Sequence, residues 1–490
     1  MPTRRIFAAV LIGLVLRAVV SLHPVAWLAW FAPIPLLWLA LRCSPGQAAK
    51  VTFLAALIGQ SANFHYFRTV MPLHSALLAM VGISLTWVLV VCGARRIVLR
   101  YQSWWTIFAY PVLCVAVDTL AAHLLPDGNW GSLAYSQVKV LSLLQVTSLF
   151  GLAGLTFLLA LVPSTMAIDL FLDTKLRHVR LAYGVTALLV VASFAYGALR
   201  LRTPLRGTPT TFGMVAIDDA IGMKASPGYI ASIWQSYDRQ VAALAAQGAQ
   251  IIVLPEKIGE IDSTHAREWQ QHLSQLAAQN HVWIASGVGV TDATSDGKTR
   301  KLNLEWLFTP QGGLSASYQK HHLAPPERDN LPGFAYDVRS INGSNYGLAI
   351  CKDMHFADMG RAYAQRDAAA MLVPAWDFGA DGWLAARMTL TRGVESGFSV
   401  IRSSREGMLT VSDPYGRVIA ERASAPMPGA SLLVRTTVTA PVSTLYARTG
   451  DLFGWLCVAI SALLLCVERV TRKRVSRTRQ DKASLAGVSA

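Results

Sequence analysis

Eight long apolar stretches constrain what this chain can fold into more than any other feature of its sequence. Each could cross the roughly 30 Å of hydrocarbon in a bilayer as a helix. Seven of them precede a long polar stretch, and the eighth follows it. They lie at about 6–22, 25–42, 51–67, 74–93, 104–124, 141–172, 180–199 and 452–468. Because 53% of the residues are hydrophobic and 15% are charged, the composition excludes an ordinary soluble protein and predicts a polytopic α-helical membrane domain of about eight transmembrane helices.

The positive charge of the chain is distributed as in a membrane topology signal. The formal net charge of +15 is concentrated before the first apolar stretch, in alternate short loops and in the tail. We expect Arg4, Arg5 and the tail to be cytoplasmic, because positively charged loops stay on that side. Seven preceding spans then place the polar stretch outside, in the periplasm of a two-membrane bacterium. The sequence therefore predicts a multi-pass protein of the bacterial inner membrane and no nucleic-acid partner.

The polar stretch alternates short apolar runs with helix-like segments. The runs at 250–254 and 282–285 each follow a segment of helical periodicity, and a Pro-Gln-Gly-Gly turn at 310–313 separates two further strand candidates. This order predicts a layered α/β domain with mixed sheets. The predicted domains are a seven-helix transmembrane domain at 1–204, a periplasmic α/β domain at 205–445, a last transmembrane helix at 446–470 and a basic cytoplasmic tail at 471–490.

Cys351 differs from the other five cysteines, which lie in or beside apolar stretches. It ends a short β-prone run that begins at Tyr346, and polar residues follow it at once. A strand that stops at a cysteine can hold a thiol rigidly at a sheet edge, as a nucleophile requires. The alternative is a small buried hydrophobic side chain, which is the usual role of a free cysteine. An unpaired cysteine in a periplasmic domain favours chemistry.

Two other polar residues stand at the ends of predicted strands. Glu256 follows the run that ends at Leu254-Pro255, and Lys320 follows Tyr318-Gln319. Either residue alone would be an ordinary surface group. Together with Cys351 they supply what acyl transfer through a thiol needs: a carboxylate to take the thiol proton, and an ammonium to stabilise the thiolate and the developing oxyanion.

These residues resemble the Glu, Lys, Cys triad of the nitrilase (carbon–nitrogen hydrolase) superfamily. With seven apolar stretches before the polar domain and one after it, the chain is identified as a member of the apolipoprotein N-acyltransferase family within that superfamily. Further segments are similar to motifs of the family. They are 130–137 (WGSLAYSQ), 151–157 (GLAGLTF), 254–256 (LPE), 318–325 (YQKHHLAP), 375–379 (AWDFG), Arg392 with Glu395, and 444–451 (TLYARTGD).

The resemblance implies a fold, a reaction and a set of residues. The fold is a nitrilase-like αββα sandwich. The reaction moves a fatty acyl chain from a phospholipid, through a thioester on Cys351, to the α-amine of the N-terminal diacylglyceryl-cysteine of a lipoprotein. It needs no metal and no organic cofactor, and we expect a monomer. Glu256 would be the base and Lys320 the oxyanion cation. The supporting residues would be Glu327, which completes the oxyanion site or orients Lys320, Trp376 as part of a lid over the acyl chain, Asp353 and Glu395.

The sequence departs from the family pattern around the acyl donor and acceptor. Lys352 and Asp353 follow the cysteine where the family has Tyr and Glu, and 405–407 (REG) replaces an Asn-Gly. Lys352 places a cation beside the thiol and would favour the thiolate, unless it points into solvent. A membrane-tethered nitrilase-type amidase that passes the acyl group to water is therefore an alternative, and a non-catalytic lipid-binding paralogue is another.

Overall fold

The part of the chain before residue 207 is helical. The structure is a computed structural model that describes residues 3–172, 176–293 and 299–466; the predicted basic tail at 471–490 lies outside them. The helices are α1 (Thr3–Val20), α2 (Pro33–Leu41), α3 (Pro45–Gln60), α4 (Phe64–Val70), α5 (Leu73–Tyr101), α6 (Ala109–Leu124), α7 (Leu141–Leu144), α8 (Thr147–Phe150), α9 (Leu152–Leu172) and α10 (Leu176–Arg200).

The helical part has the surface of a membrane protein. Four of the described helical stretches are long and apolar enough to cross a bilayer, namely Leu73–Tyr101, Trp104–Leu124, Leu152–Leu172 and Arg180–Arg200. Large side chains such as Leu78, Leu89 and Leu188 are about two-thirds exposed (69%, 67% and 67%), as expected for residues that face lipid. The expectation of eight spans is thus confirmed in part, because the other apolar helices, such as Leu28–Leu41 and Leu452–Cys466, are shorter.

The apolar stretch predicted at 141–172 is not one helix, and that expectation was wrong. The helix is interrupted at Gly151, which has a φ of +62° and lies between the end of α8 and the start of α9. A Cβ atom at this position would lie 2.4 Å from the ring of Tyr446. The break therefore allows an aromatic side chain from the C-terminal part of the chain to pack directly on the backbone.

The part of the chain from residue 207 to residue 439 forms two sheets. The strands are β1 (Gly207–Ala216), β2 (Ile251–Val253), β3 (Glu260–Asp262), β4 (Trp283–Ala293), β5 (Thr299–Phe308), β6 (Leu314–Gln319), β7 (Val338–Ile341), β8 (Ser344–Leu348), β9 (Ala370–Trp376), β10 (Ser399–Arg405), β11 (Met408–Ser412), β12 (Val418–Ala423) and β13 (Ala430–Thr439). One sheet has the order β13-β1-β2-β4-β5-β6, with β3 beside β4, and the other has the order β12-β11-β10-β9-β8-β7.

The two sheets pack face to face between two layers of helices. The remaining helices are α11 (Pro227–Ala246), α12 (Ala266–Asn280), α13 (Ala357–Ala364), α14 (Gly382–Ser396), α15 (Leu445–Thr449) and α16 (Leu452–Cys466). Helices α11 and α12 cover the first sheet, and α14 covers the second. The core between the sheets contains residues of both, such as Met214 and Leu372. The expected αββα sandwich is confirmed.

The topology gathers several strand ends at one edge. Strands β1, β2 and β4 are parallel, as are β8, β9 and β10. Strand β6 has the direction of β4, because both are antiparallel to β5. The Glu256 backbone N–H donates to the Ala375 carbonyl (3.1 Å) and links the two sheets where β2 and β9 end. The side chains that follow β2, β6, β8, β9 and β10 therefore emerge close together.

A comparison of two glycines with nearly the same φ tests how tightly the backbone is packed around them. Gly397, after α14, has a φ of +82°, and a Cβ there would lie 1.7 Å from the Val442 carbonyl oxygen; Gly343 has a φ of +81° and open space. We expect Gly343→Ala to cost about 1 kcal/mol of unfolding free energy, because of its φ alone. Gly397→Ala should cost about 3 kcal/mol, because the backbone must also move. Thermal unfolding of the two variants in detergent micelles measures the difference, and equal losses would contradict the packing argument.

Candidate active site

A buried ion-pair network lies at the shared edge of the two sheets. The Lys320 ammonium is 2.6 Å from Glu256 Oε1 and 2.6 Å from Glu327 Oε2, and the three residues are each at most 5% exposed. Burial alone would lower the pKa of Lys320, but the two carboxylates outweigh it and raise the pKa well above its ordinary value. Lys320 is therefore a fixed cation, and Glu327 belongs to the network rather than to the surface.

Two residues that sequence reasoning did not identify complete this network. Asn303, in β5, donates through Nδ2 to Glu256 Oε1 (2.6 Å) and to Glu327 Oε1 (2.7 Å). The Lys257 ammonium lies 3.0 Å from Glu327 Oε1. Burial would raise the pKa of Glu327, but Lys320 and Lys257 hold it below its usual range. In the sequence, Asn303 was marked only as a polar residue between Leu302 and Leu304 at the start of a predicted strand, and Lys257 gave no comparable signal.

Cys351 stands beyond the end of β8 in a strained backbone conformation. Its φ is +44°, in the left-handed region that residues other than glycine rarely adopt. The side chain is 6% exposed, and its Sγ donates to the Trp376 carbonyl oxygen (3.4 Å). The structure thus holds the sulfur in one position at the edge where Glu256 and Lys320 emerge.

The electrostatic surroundings of Cys351 favour the thiol over the thiolate in the free protein. Burial raises the pKa of the Cys351 thiol well above its ordinary value, and the Glu256 carboxylate raises it further. The Lys320 ammonium acts in the opposite direction. Loss of the proton therefore requires transfer to a neighbouring base, and the nearby Glu256 carboxylate is suited to receive it.

Asp353 ties the segments that carry Lys320 and Cys351 to each other. Its carboxylate accepts hydrogen bonds from the Tyr318 hydroxyl (2.8 Å) and from the backbone N–H groups of His321 (3.1 Å), His322 (2.7 Å) and Ile350 (3.0 Å). Asp353 is fully buried. Its carboxylate therefore holds the two segments together through these four hydrogen bonds.

Lys352 is neither the solvent-facing group nor the thiolate-stabilising cation that the sequence suggested. Its side chain is buried, and its ammonium donates to Asp127 Oδ1 (2.6 Å) and to the Leu323 carbonyl oxygen (2.9 Å). Asp127 lies in the loop after α6. The Lys352 charge is thus directed at the helical part of the molecule, while the pKa of Cys351 is raised rather than lowered.

Aromatic rings connect the site with the helical part. The Trp376 ring lies 6.0 Å from that of Phe378, which lies 6.4 Å from the ring of Tyr66 in α4. Tyr66 stacks on Trp130 at 4.9 Å. The Arg405 guanidinium lies 3.8 Å from the centre of the Trp376 ring. Trp376 is therefore held in place beside the sulfur, and its role as a lid stays a prediction.

Glu395 does not belong to the network around Lys320. It is fully buried in α14, and its Oε2 lies 2.9 Å from Arg392 Nη1. Burial raises the pKa of Glu395 to about 7. Glu395 and Arg392 line a cavity of about 340 Å³ between the α/β part and the ends of α6 and α9, which Asp451 also lines. A supporting role for Glu395 would therefore act from this cavity.

The arrangement has the parts of an acyl-transfer site. A thiol, a carboxylate and an ammonium whose pKa is raised converge in a region from which water is largely excluded, where electrostatic stabilisation is strong. Within residues 3–172, 176–293 and 299–466, no group of three His, Cys, Asp or Glu side chains is placed to hold a metal ion.

Two family models match the chain. The model of the apolipoprotein N-acyltransferase N-terminal domain matches residues 12–165, and the carbon–nitrogen hydrolase model matches residues 220–426. The second match includes Glu256, Lys320, Glu327, Cys351 and Glu395. The α/β part is therefore a nitrilase-like domain.

Curated relatives and solved structures are also similar to the chain. An apolipoprotein N-acyltransferase of Geobacter metallireducens is 25% identical, and the alignment covers 94% of this chain and 95% of the relative. One of Gloeobacter violaceus is 25% identical over 97% and 88%, and one of Bradyrhizobium diazoefficiens is 27% identical over 75% of each. An amidase from Nesterenkonia sp. is 20% identical, over 50% of this chain and 94% of the amidase, with a TM-score of 0.41.

The charges around Cys351 predict how the reactivity of its thiol depends on pH. In a variant that keeps only Cys351, we expect iodoacetamide to alkylate it with a midpoint above the ordinary thiol range, because burial and Glu256 raise its pKa. Glu256→Gln should lower the midpoint and Lys320→Met should raise it, because the two charges act in opposite directions. Shifts of the same sign in both variants would contradict this electrostatic arrangement.

Proposed function

We propose that the chain, which belongs to the apolipoprotein N-acyltransferase family, transfers a fatty acyl chain from a phospholipid to the α-amine of the N-terminal diacylglyceryl-cysteine of a lipoprotein. The observation that carries this proposal is the convergence of Cys351 with the buried network of Lys320, Glu256 and Glu327. A membrane protein is suited to this reaction, because both the acyl donor and the product are lipids.

The first half-reaction transfers the acyl chain to the enzyme. Glu256 takes the proton of Cys351, and the thiolate attacks the carbonyl carbon of a phospholipid ester. The Lys320 ammonium stabilises the negative charge that develops on the carbonyl oxygen. When the intermediate collapses, the ester oxygen leaves with the proton from Glu256. The products are a thioester at Cys351 and a lysophospholipid.

The second half-reaction uses the same groups in the reverse order. The neutral α-amine of the lipoprotein attacks the thioester carbonyl, and Glu256 takes a proton from the attacking nitrogen. Lys320 again stabilises the oxyanion. The sulfur then leaves and recovers a proton from Glu256, so that an amide forms and the thiol of Cys351 is restored. No metal or organic cofactor takes part in this sequence of steps.

The remaining helices complete the proposed topology. Eight helices would cross the bacterial inner membrane, with the shorter apolar helices α2, α3 and α16 included among them. Transmembrane segments at 1–204 and 446–470 would flank a periplasmic catalytic domain at 205–445. The basic residues in alternate loops support this orientation. The acyl donor would be a phospholipid of the outer leaflet, and the enzyme would act as a monomer.

Replacing the sulfur tests the proposal directly. The full-length protein is incubated with a phospholipid that carries a labelled acyl chain and with a synthetic diacylated lipopeptide. We expect labelled thioester and triacylated peptide from the unaltered protein, and neither from Cys351→Ala, because this variant lacks the thiol that the proposed reaction acylates. Cys457→Ala is the matched control, because Cys457 is also buried (2% exposed) but lies in α16, and it should retain activity.

The products separate the proposal from its alternatives. Labelled free fatty acid without triacylated peptide would indicate an amidase-like enzyme that transfers the acyl group to water. An undiminished thioester adduct in Cys351→Ala would end the proposal. Failure of unaltered Cys351 to form any acyl adduct would favour a non-catalytic lipid-binding protein.

A further inference from the structure

Two cations beside the catalytic segments converge on one carboxylate of the helical part. Lys352 directly follows Cys351, and its ammonium lies 2.6 Å from Asp127 Oδ1. Arg328 directly follows Glu327, and its guanidinium lies 3.7 Å from Asp127 Oδ2. Asp127 belongs to the loop that follows α6. The cluster of Lys352, Arg328 and Asp127 therefore lies where both catalytic segments meet the membrane helices.

The cluster is incompletely neutralised. Two cations face a single carboxylate, so that one net positive charge remains. In the described part of the chain, Asp127 is the one acidic partner of Arg328, and the two charged groups are 3.7 Å apart. The Arg328 side chain is 61% exposed. Burial lowers the pKa of Lys352, which means that its charge is costly and would be stabilised by a second anion.

The loop that carries Asp127 also separates two cavities. Leu125, Gly128 and Asn129 line both the polar cavity of about 340 Å³ and a second cavity of about 210 Å³ inside the helical part. Apolar side chains such as Val90 and Leu159 form much of the wall of the second cavity. The apolar chain of a lipid would therefore find an apolar wall beside the loop that carries Asp127.

We propose that Lys352 and Arg328 form a binding site for the phosphodiester group of the donor phospholipid. This inference rests on the proposed function and specifies how its donor is recognised. In a glycerophospholipid, the glycerol backbone alone separates the phosphate from the ester carbonyl carbons. The residues that engage these two groups, Lys352 and Cys351, are neighbours in the chain. A monoanionic phosphodiester also neutralises the one remaining charge of the cluster.

Asp127 competes with the phosphate for the same cations. Its carboxylate accepts a hydrogen bond from Lys352 at 2.6 Å and is itself 38% exposed, so that it can move toward solvent when a phosphate arrives. The Lys352 ammonium also donates to the Leu323 carbonyl oxygen (2.9 Å). This hydrogen bond would hold the lysine in place while the carboxylate moves. This arrangement predicts opposite effects for removal of the cations and removal of the carboxylate.

The test compares a donor that contains phosphate with one that lacks it. Formation of the thioester at Cys351 is measured in the full-length protein in detergent micelles, with phosphatidylglycerol or with p-nitrophenyl palmitate as the acyl donor. Arg328→Gln and Lys352→Met should each raise the half-saturating concentration of phosphatidylglycerol about tenfold, the worth of one charge-assisted hydrogen bond. They should leave that of the nitrophenyl ester unchanged, because it has no phosphate.

The carboxylate variant and a surface control make the test sharper. Asp127→Asn should lower the half-saturating concentration of phosphatidylglycerol, because it removes the competitor for both cations. Arg422→Gln is the control, because Arg422 is an exposed arginine on β12 that donates to the Ser431 carbonyl oxygen, and it should behave as the unaltered protein with both donors.

Three outcomes of these measurements would overturn the site. Parallel losses with both donors would mean that Lys352 and Arg328 position Cys351 instead of binding phosphate. Loss of phospholipid use in Asp127→Asn would mean that the cluster anchors the loop. Inorganic phosphate separates the two possible sources of the anion: competition at the lipid's own half-saturating concentration would assign the site to free phosphate and overturn the lipid assignment.

The donors that the unaltered protein uses distinguish a failure of this inference from a failure of the proposed function. Acylation of Cys351 by the nitrophenyl ester but never by a phospholipid would overturn the proposed function and this site together. Use of both donors by the unaltered protein, with variants that do not discriminate between them, would overturn the phosphate site alone.

Discussion

A lysine ammonium buried between two carboxylates is the interaction on which the rest of the site depends. Lys320 would be too costly to bury as an isolated charge, and Glu256 and Glu327 offset that cost at 2.6 Å each. Asn303 holds both carboxylates in register. The consequence is a cation that two carboxylates hold in position and whose pKa they raise, as the proposed stabiliser of a transient oxyanion requires. The proposed base and the proposed oxyanion cation are therefore held in position by the same contacts.

The proposed nucleophile, Cys351, has a strained backbone conformation that its surroundings maintain. Cys351 has a left-handed backbone conformation, and such a conformation persists only where neighbouring contacts determine it. Asp353 supplies those contacts, because it accepts hydrogen bonds from the backbone on both sides of the site. Lys257, directly after Glu256, is also left-handed and binds Glu327. The polar residues at the strand ends thus fix one another, and the apolar core between the sheets fixes the strands.

Direct side-chain contacts join the helices and the sandwich at their boundary. Tyr446 packs on the backbone at Gly151, Phe378 reaches the ring of Tyr66, and Asp127 approaches the residue beside the nucleophile. A reaction that takes a lipid out of a bilayer needs such a boundary, because the ester must reach the thiol without crossing water. One departure from the family pattern, Lys352, lies at this boundary, whereas another, Asp353, lies between the segments that carry Lys320 and Cys351.

The sequence by itself predicted a helical membrane domain and a layered α/β domain, and it singled out Glu256, Lys320 and Cys351, because hydrophobic length and strand-end polarity are local properties of the chain. It could not determine that Asn303 bridges two carboxylates, or that Lys352 turns toward Asp127, a partner 225 positions away. Those contacts follow from the order of the strands and from how the sandwich sits on the helices. The tertiary structure decided them, because the energy of a charge depends on which groups surround it in space and not on its neighbours in sequence.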